Sequence, residues 1–162
     1  MRNDSARLAK LREFLLLDSS PERAFDDITR LLATSFDVPI AMVNVLDAER
    51  DWFKSSVGLR CTESPATTSL CESFFRTTDD VIVVADTTLD PRFVSHPRVV
   101  GPPFVRFYAA ARLAIDGHTF GTLCAYDLQP RNVSTEQLRQ LQTLATAAVE
   151  LIRQRPVAAG AA

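Results

Sequence analysis

Apolar positions along this chain switch between a helical period and a strand period, and the switches divide it into short elements. Leu8, Leu11 and Leu15 recur at helical spacing, and Phe25, Ile28, Leu32 and Phe36 form a second stripe of the same kind. Ser20 followed by Pro21 offers the second helix an N-cap and a first-turn proline, while Asp37 and Pro39 end it. PIAMVNVLD then reads as a buried strand, and DAERD as a turn into a second strand, DWFKSSVG. From Leu59 to Thr68 no period is evident, so this piece reads as a loop entering a short helix around Ser69 to Thr77.

VIVVAD predicts a further strand. FVRFYAAARLAI and HTFGTLCAYD predict a hairpin, with Asp116-Gly117 as its tight turn. Ser134 with Gln137 has the spacing of a capping box, after which Leu138, Leu141, Ala145, Ala148 and Ile152 carry a last helix toward Pro156. Between strand and hairpin lies an irregular connector, Leu89 to Gly101, followed by more proline. Its Pro91, Phe93 and Pro97, with Pro102, Pro103 and Phe104 beyond, favour lying over something apolar, and the prolines forbid a long helix. The order of elements predicts an α+β fold. A mostly antiparallel sheet carries the terminal helices on one face, with the short helix and the connector over a cavity on the other.

Length and composition narrow the function. A chain of 162 residues, 46% hydrophobic and 23% charged, suits one domain that buries roughly two-thirds of its unfolded surface. The expected domain is 1–155, with 156–162 as a disordered tail. A formal charge of -2, with neither sign concentrated in a block, argues against nucleic acid and membrane surfaces as partners. The start MRNDSARLAKLREF resembles no secretory signal, so a cytoplasmic location is expected. Three cysteines, Cys61, Cys71 and Cys124, without CxxC spacing favour reduced thiols over a disulfide framework or a zinc site.

The segments PERAFDDITRLLA, DWFKSSVGL, TTSLC, DPRF, GPPFVRFYAAARL and GTLCAYD, taken in order, resemble the bacterial GAF domain from about Leu8 to Arg153. The resemblance implies a profilin/PAS-like fold with about six antiparallel strands, terminal helices on one face and a small-molecule pocket on the other. It also implies a sensory module, often attached to a histidine kinase, a diguanylate cyclase or a transcriptional regulator. Too little follows Arg155 here for such an output domain, so the expectation is a free-standing sensor or a fragment of a larger one. Many GAF proteins dimerise through their terminal helices, which makes Leu8, Leu11, Leu15, Leu144 and Leu151 candidates for a homodimer seam.

Within this frame the pocket residues follow from alternation. Tyr108, Ala110 and Arg112 fall on one face of their strand, and Phe107, Ala109, Ala111 and Leu113 on the other, the second set being suited to the helices. Asn44, Cys71, Phe74, Asp86, Phe93, Tyr108, Arg112 and Thr122 are the candidate ligand-binding residues. Arg112 stands where the family pattern leads one to expect proline; it reads either as an anion ligand or as a strand-end side chain with its guanidinium in water. Arg106 is a further polar group suited to a cyclic nucleotide if it faces inward. Asp86 and Asp90 read more simply as turn caps than as an acid–base or metal pair. Of Trp52 and Phe53, one should be buried and the other free to close the pocket.

Cys71 is the candidate nucleophile because it opens a short helix, although Leu70 and Phe74 beside it equally suit a core thiol. A methionine-(R)-sulfoxide reductase subgroup uses such thiols, but its GVCG-type loop and its Cys-Asp pair before the lid are missing. Phytochrome-type bilin attachment places histidine after the cysteine, and Cys71 is followed by Glu72. His96 in the connector has the chemistry to ligate haem but also the setting of a surface loop, and His118 follows the hairpin turn. No cofactor is specified. The expectation is a non-catalytic sensor of a small molecule; the alternatives are a free methionine-(R)-sulfoxide reductase-like or thiol-redox protein using Cys71 and a ligand-free dimerisation or interaction module.

Overall fold

The computed structural model describes residues 1–156, so the expected tail lies outside the described residues except for Pro156. Among the described residues four α-helices, α1 (Ser5–Glu13), α2 (Arg23–Phe36), α3 (Pro97–Val100) and α4 (Thr135–Arg153), accompany six strands. These are β1 (Ile40–Leu46), β2 (Arg50–Val57), β3 (Glu63–Pro65), β4 (Val81–Val84), β5 (Phe107–Ile115) and β6 (His118–Asp127). The strands form one antiparallel sheet in the order β3-β2-β1-β6-β5-β4.

Alternation divides the interior into two layers. Ala41, Val43 and Val45 of β1 and Phe107, Ala109, Ala111 and Leu113 of β5 face α2 and α4. Met42 and Leu46 of β1, Tyr108 and Ala110 of β5 and Cys124 of β6 face the opposite way, toward the Leu89 to Gly101 connector, which forms the lid. The β5–β6 hairpin closes as predicted: Ile115 pairs with His118, and Asp116 and Gly117 take φ of 51° and 79°, the doubly left-handed turn that an Asp-Gly pair favours. In α4, Ser134 accepts from the Gln137 amide while the Gln137 side chain accepts from the Ser134 amide, completing the capping box.

Three local expectations are corrected. The first helix stops at Glu13, and Leu15, at φ 52°, projects 52% exposed and does not continue the stripe. The second helix begins at Arg23 with Glu22 as N-cap, because the buried Lys54 ammonium binds the Ser20 carbonyl at 2.6 Å, the Ser19 hydroxyl at 2.7 Å and the Glu22 carboxylate at 2.6 Å, holding Ser20 outside the helix. Residues 63–65, read as loop, form the edge strand β3 paired with Arg50–Trp52; three residues, two of them exposed, leave no period to detect. As seam candidates, Leu8, Leu11 and Leu144 are withdrawn into the protomer's own interior, leaving Leu15 and the half-buried Leu151 accessible.

Candidate functional site

The lid face of the sheet is unusually polar for a buried surface. Asn44 on β1, Thr122 on β6 and Tyr108 on β5 are all fully buried. A run of 3-10 helix, Leu70–Arg76, lays Cys71 across them, its Sγ 3.0 Å from Tyr108 Oη and 3.1 Å from Thr122 Oγ1. Phe74 from the same run and Phe93 from the lid complete the layer, with Phe93 against the Tyr108 ring at 5.6 Å between centroids. Six of the eight candidate residues, Asn44, Cys71, Phe74, Phe93, Tyr108 and Thr122, are therefore buried on the lid side of the sheet.

Arg112 and Asp86 stand apart from this cluster. Arg112 donates to the carbonyls of Phe74 (3.1 Å), Thr77 (2.8 Å) and Asp79 (2.8 and 3.3 Å) and to the Thr119 hydroxyl (2.6 Å), so its fork is filled by the protein. Its guanidinium also stacks over Phe74 at 5.2 Å. The two sequence alternatives, anion ligand and solvated strand end, both give way to a clamp on the segment entering β4. Asp86 caps the turn at Thr87–Leu89 by accepting from the Thr88 amide and hydroxyl, which holds its carboxyl below the usual range. Arg106 donates to the Val99 and Val105 carbonyls, tying the lid to β5.

A residue absent from the sequence-based set organises the site. Asp51, at the start of β2 and only 3% exposed, accepts from Asn44 Nδ2 at 2.8 Å, from Ser69 Oγ at 2.5 Å and from Arg2 Nη2 at 2.9 Å. Among the described residues Asn44 Oδ1 has no hydrogen-bond partner, although it is sealed from solvent. The signal was a charged residue at the mouth of a strand, followed by Trp52 and Phe53, which reads equally as the end of a turn. Arg2, in a segment with no period, left no signal at all.

Cys71 and Cys124 are both fully buried, and Cys61 is exposed. Burial works against a Cys71 thiolate, and hydrogen bonding from Cys124, Thr122 and Tyr108 more than offsets it, leaving this thiol below its ordinary pKa. Burial, with Cys71 beside it, holds Cys124 well above the ordinary value. Burial likewise pushes the Tyr108 phenol up, so it stays a hydrogen-bonding hydroxyl at neutral pH. His96 serves as the N-cap of α3, its Nδ1 accepting from the Arg98 amide at 3.0 Å, and burial lowers its pKa. Trp52 joins the helix-side core, whereas Phe53 borders the lid-side cavity.

The lid packs directly on this layer. Phe93, Val99 and Val105 descend from the connector into the layer above Tyr108 and Cys71. Beside this layer, a cleft of about 70 Å³ is bordered by Met42, Asp51, Phe53, Ser69, Val105 and Tyr126. That is well short of the roughly 300 Å³ of a small ligand pocket. Outside the lid, a groove of about 480 Å³ runs between the N-terminal residues, the Leu70–Arg76 segment and the lid residues Arg92, Phe93 and His96.

Residues 20–152 match the family model described as the GAF domain. The chain belongs to the GAF family. It is 37% identical over 136 residues to a cyclic di-GMP phosphodiesterase of Pseudomonas aeruginosa, a match covering 83% of this chain and 23% of that protein. The chain thus spans under a quarter of that relative's length. Among solved structures, the GAF domain of an Acinetobacter phosphoenolpyruvate-protein phosphotransferase superposes with a TM-score of 0.67 at 17% identity, covering 93% of this chain and 94% of that one. A free methionine-R-sulfoxide reductase from Thermoplasma acidophilum gives 0.64 at 15% identity, covering 91% and 98%. At these identities the structural likeness establishes a shared fold, and the GAF domain is a sensory fold. Among the described residues no helix is long and apolar enough to cross a membrane.

Proposed function

We propose that this GAF domain is a non-catalytic regulatory module that takes a small molecule between the sheet and the lid, with lid movement as the signal. The observation that carries the reading is the sealed polar layer of Asn44, Asp51, Ser69, Tyr108 and Thr122, in which the Asn44 Oδ1 acceptor has no partner among the described residues. A buried unsatisfied carbonyl oxygen costs about 1–3 kcal/mol, and a ligand N–H or O–H supplies what it lacks. The cleft beside the layer offers only about 70 Å³, and Phe93, Val99 and Val105 cover the layer itself, so a ligand of ordinary size enters by displacing the lid, and binding and lid position are one equilibrium.

Catalysis through Cys71 is disfavoured by the same burial. Its sulfur is covered on all sides, and an attacking thiolate needs access as well as a lowered pKa. The likeness to a cyclic di-GMP phosphodiesterase suggests cyclic di-GMP turnover as the process regulated. A homodimer through the terminal helices is part of this reading, with its seam on the outward faces of α1 and α4 near Leu15 and Leu151.

Native mass spectrometry of freshly purified protein, compared with the denatured mass, tests the binding directly. A bound small-molecule mass, shed on denaturation, supports the reading. If the protein is apo and its melting temperature is unmoved by a panel of nucleotides, amino acids and organic acids, the reading gives way to a ligand-free interaction module.

A further inference from the structure

The N-terminal residues fill a site built for a planar cation. Arg2 is only 6% exposed, and its guanidinium meets a receptor drawn from two segments of the chain, residues 47–51 and 72–75. Nη2 donates to Asp51 Oδ1 at 2.9 Å and Nε to Glu72 Oε2 at 2.6 Å, while Nη1 donates to the carbonyls of Asp47 at 2.8 Å and Arg50 at 3.3 Å. The Phe75 ring lies 5.6 Å from its central carbon. Two carboxylates, two carbonyls and an aromatic ring are the groups that recognise a guanidinium through its fork, its charge and its flat face.

The anchor of this site is built independently of Arg2. Asp51 Oδ2 is held by Asn44 Nδ2 at 2.8 Å and Ser69 Oγ at 2.5 Å, so its Oδ1 stays aimed outward whatever occupies the site. Asn44 Oδ1, without a partner among the described residues, belongs to the same network. Arg2 reaches the site on a short strap: the Asp4 amide donates to the Met1 carbonyl at 3.2 Å, and Asp4 then caps α1. Arg7 secures the strap by donating to the Arg2 carbonyl from Nε (3.0 Å) and Nη2 (2.6 Å). The groove of about 480 Å³, lined in part by Met1, Arg2, Asn3 and Glu72, opens beside it and gives a free molecule a way in.

We propose that Asp51, Glu72, the Asp47 and Arg50 carbonyls and Phe75 form a guanidinium-binding site of which Arg2 is the tethered resident, and that a free guanidino compound takes the site when Arg2 leaves it. The site stands whether or not the compartment under the lid holds a ligand. Because Asp51 contacts both Arg2 and the Asn44–Ser69 pair, exchange at this site is also felt on the lid face.

Chemical rescue of Arg2→Ala tests it, with methylguanidinium at low millimolar concentration as probe and methylammonium and potassium chloride as controls. The expected result is a lowered melting temperature for Arg2→Ala and a saturable recovery with methylguanidinium alone. The unaltered protein should not respond, since its tethered Arg2 competes at a high effective concentration. If Arg2→Ala does not fold on expression, refolding yield is read instead, and methylguanidinium should raise it where methylammonium does not. Equal responses to methylguanidinium and methylammonium, or no response to either, overturn the proposal.

Discussion

Arg112→Ala discriminates most sharply between a ligand-binding and a structural arginine. The guanidinium makes five hydrogen bonds to four acceptors, three of them main-chain carbonyls of the Phe74–Asp79 segment, and its side chain is only 11% exposed. Hydrogen bonds from a charged donor contribute about 1.5–3 kcal/mol each where the freed acceptor stays buried. The Thr77 and Asp79 carbonyls lie near the surface and regain water, so the loss should be about 2–4 kcal/mol in total and not the sum over five bonds. For a domain of this size that lowers the melting temperature by about 4–16 °C. Arg112→Lys keeps the charge but has three donors without the planar fork, so it should recover less than half of the loss. Urea titration and a thermal scan of both variants supply the numbers. A change below about 1 kcal/mol for Arg112→Ala would refute the clamp assignment and return Arg112 to the ligand candidates.

Four further outcomes follow from the same geometry. Cys61 should alkylate readily with iodoacetamide under native conditions while Cys71 and Cys124 react only as the protein opens, as read by peptide mass spectrometry; a fast Cys71 would revive the thiol-redox reading. Lys54→Met should lose about 1–3 kcal/mol in urea titration, because the Ser20 carbonyl and Glu22 carboxylate lose the ammonium that holds the entry to α2. Gly121→Ala should destabilise more than Gly117→Ala. A Cβ at Gly121 would sit 2.0 Å from the Asn44 carbonyl oxygen in mid-sheet, whereas at Gly117 it meets nothing and incurs only the strain of φ 79°. Hydrogen bonding from Arg92 holds the Asp90 carboxyl below its ordinary value, so its stabilisation is present above about pH 4 and lost as the pH falls through the lowered folded-state value. Asp90→Asn should therefore lower stability at pH 7 and flatten part of the acid limb in urea titrations across pH.

The sequence carried the sheet well where period and turn chemistry agreed, as in the β5–β6 hairpin with its Asp-Gly turn and in α4 with its capping box. It carried less where one distant side chain overrode a local signal. Ser20-Pro21 has the local form of a helix start, yet Lys54, 34 residues away, binds the Ser20 carbonyl and shifts the start to Arg23. Alternation placed Tyr108 on the lid face, where it lies beside Cys71 and Thr122. For Arg112 it gave the face and not the partners, because the carbonyls that fill its fork come from a segment with no period of its own. Asp51 and Arg2 escaped for a related reason: one reads as the end of a turn and the other as a chain start, and only the fold brings them within 2.9 Å.

Hydrogen exchange across the lid tests the central claim most directly, since the account requires the Leu89 to Val105 segment to open without the sheet. Its amides are held largely by short-range turns, such as Phe93 to Asp90 and Val100 to His96, whereas β5 is paired on both edges. The account predicts exchange of these lid amides through a local opening of lower free energy than that of β1, β5 and β6, and slower exchange once a small molecule is bound. Lid amides that exchange only with global unfolding, at the same free energy as the central strands, would contradict it, because no ligand then reaches the layer around Asn44 and Tyr108.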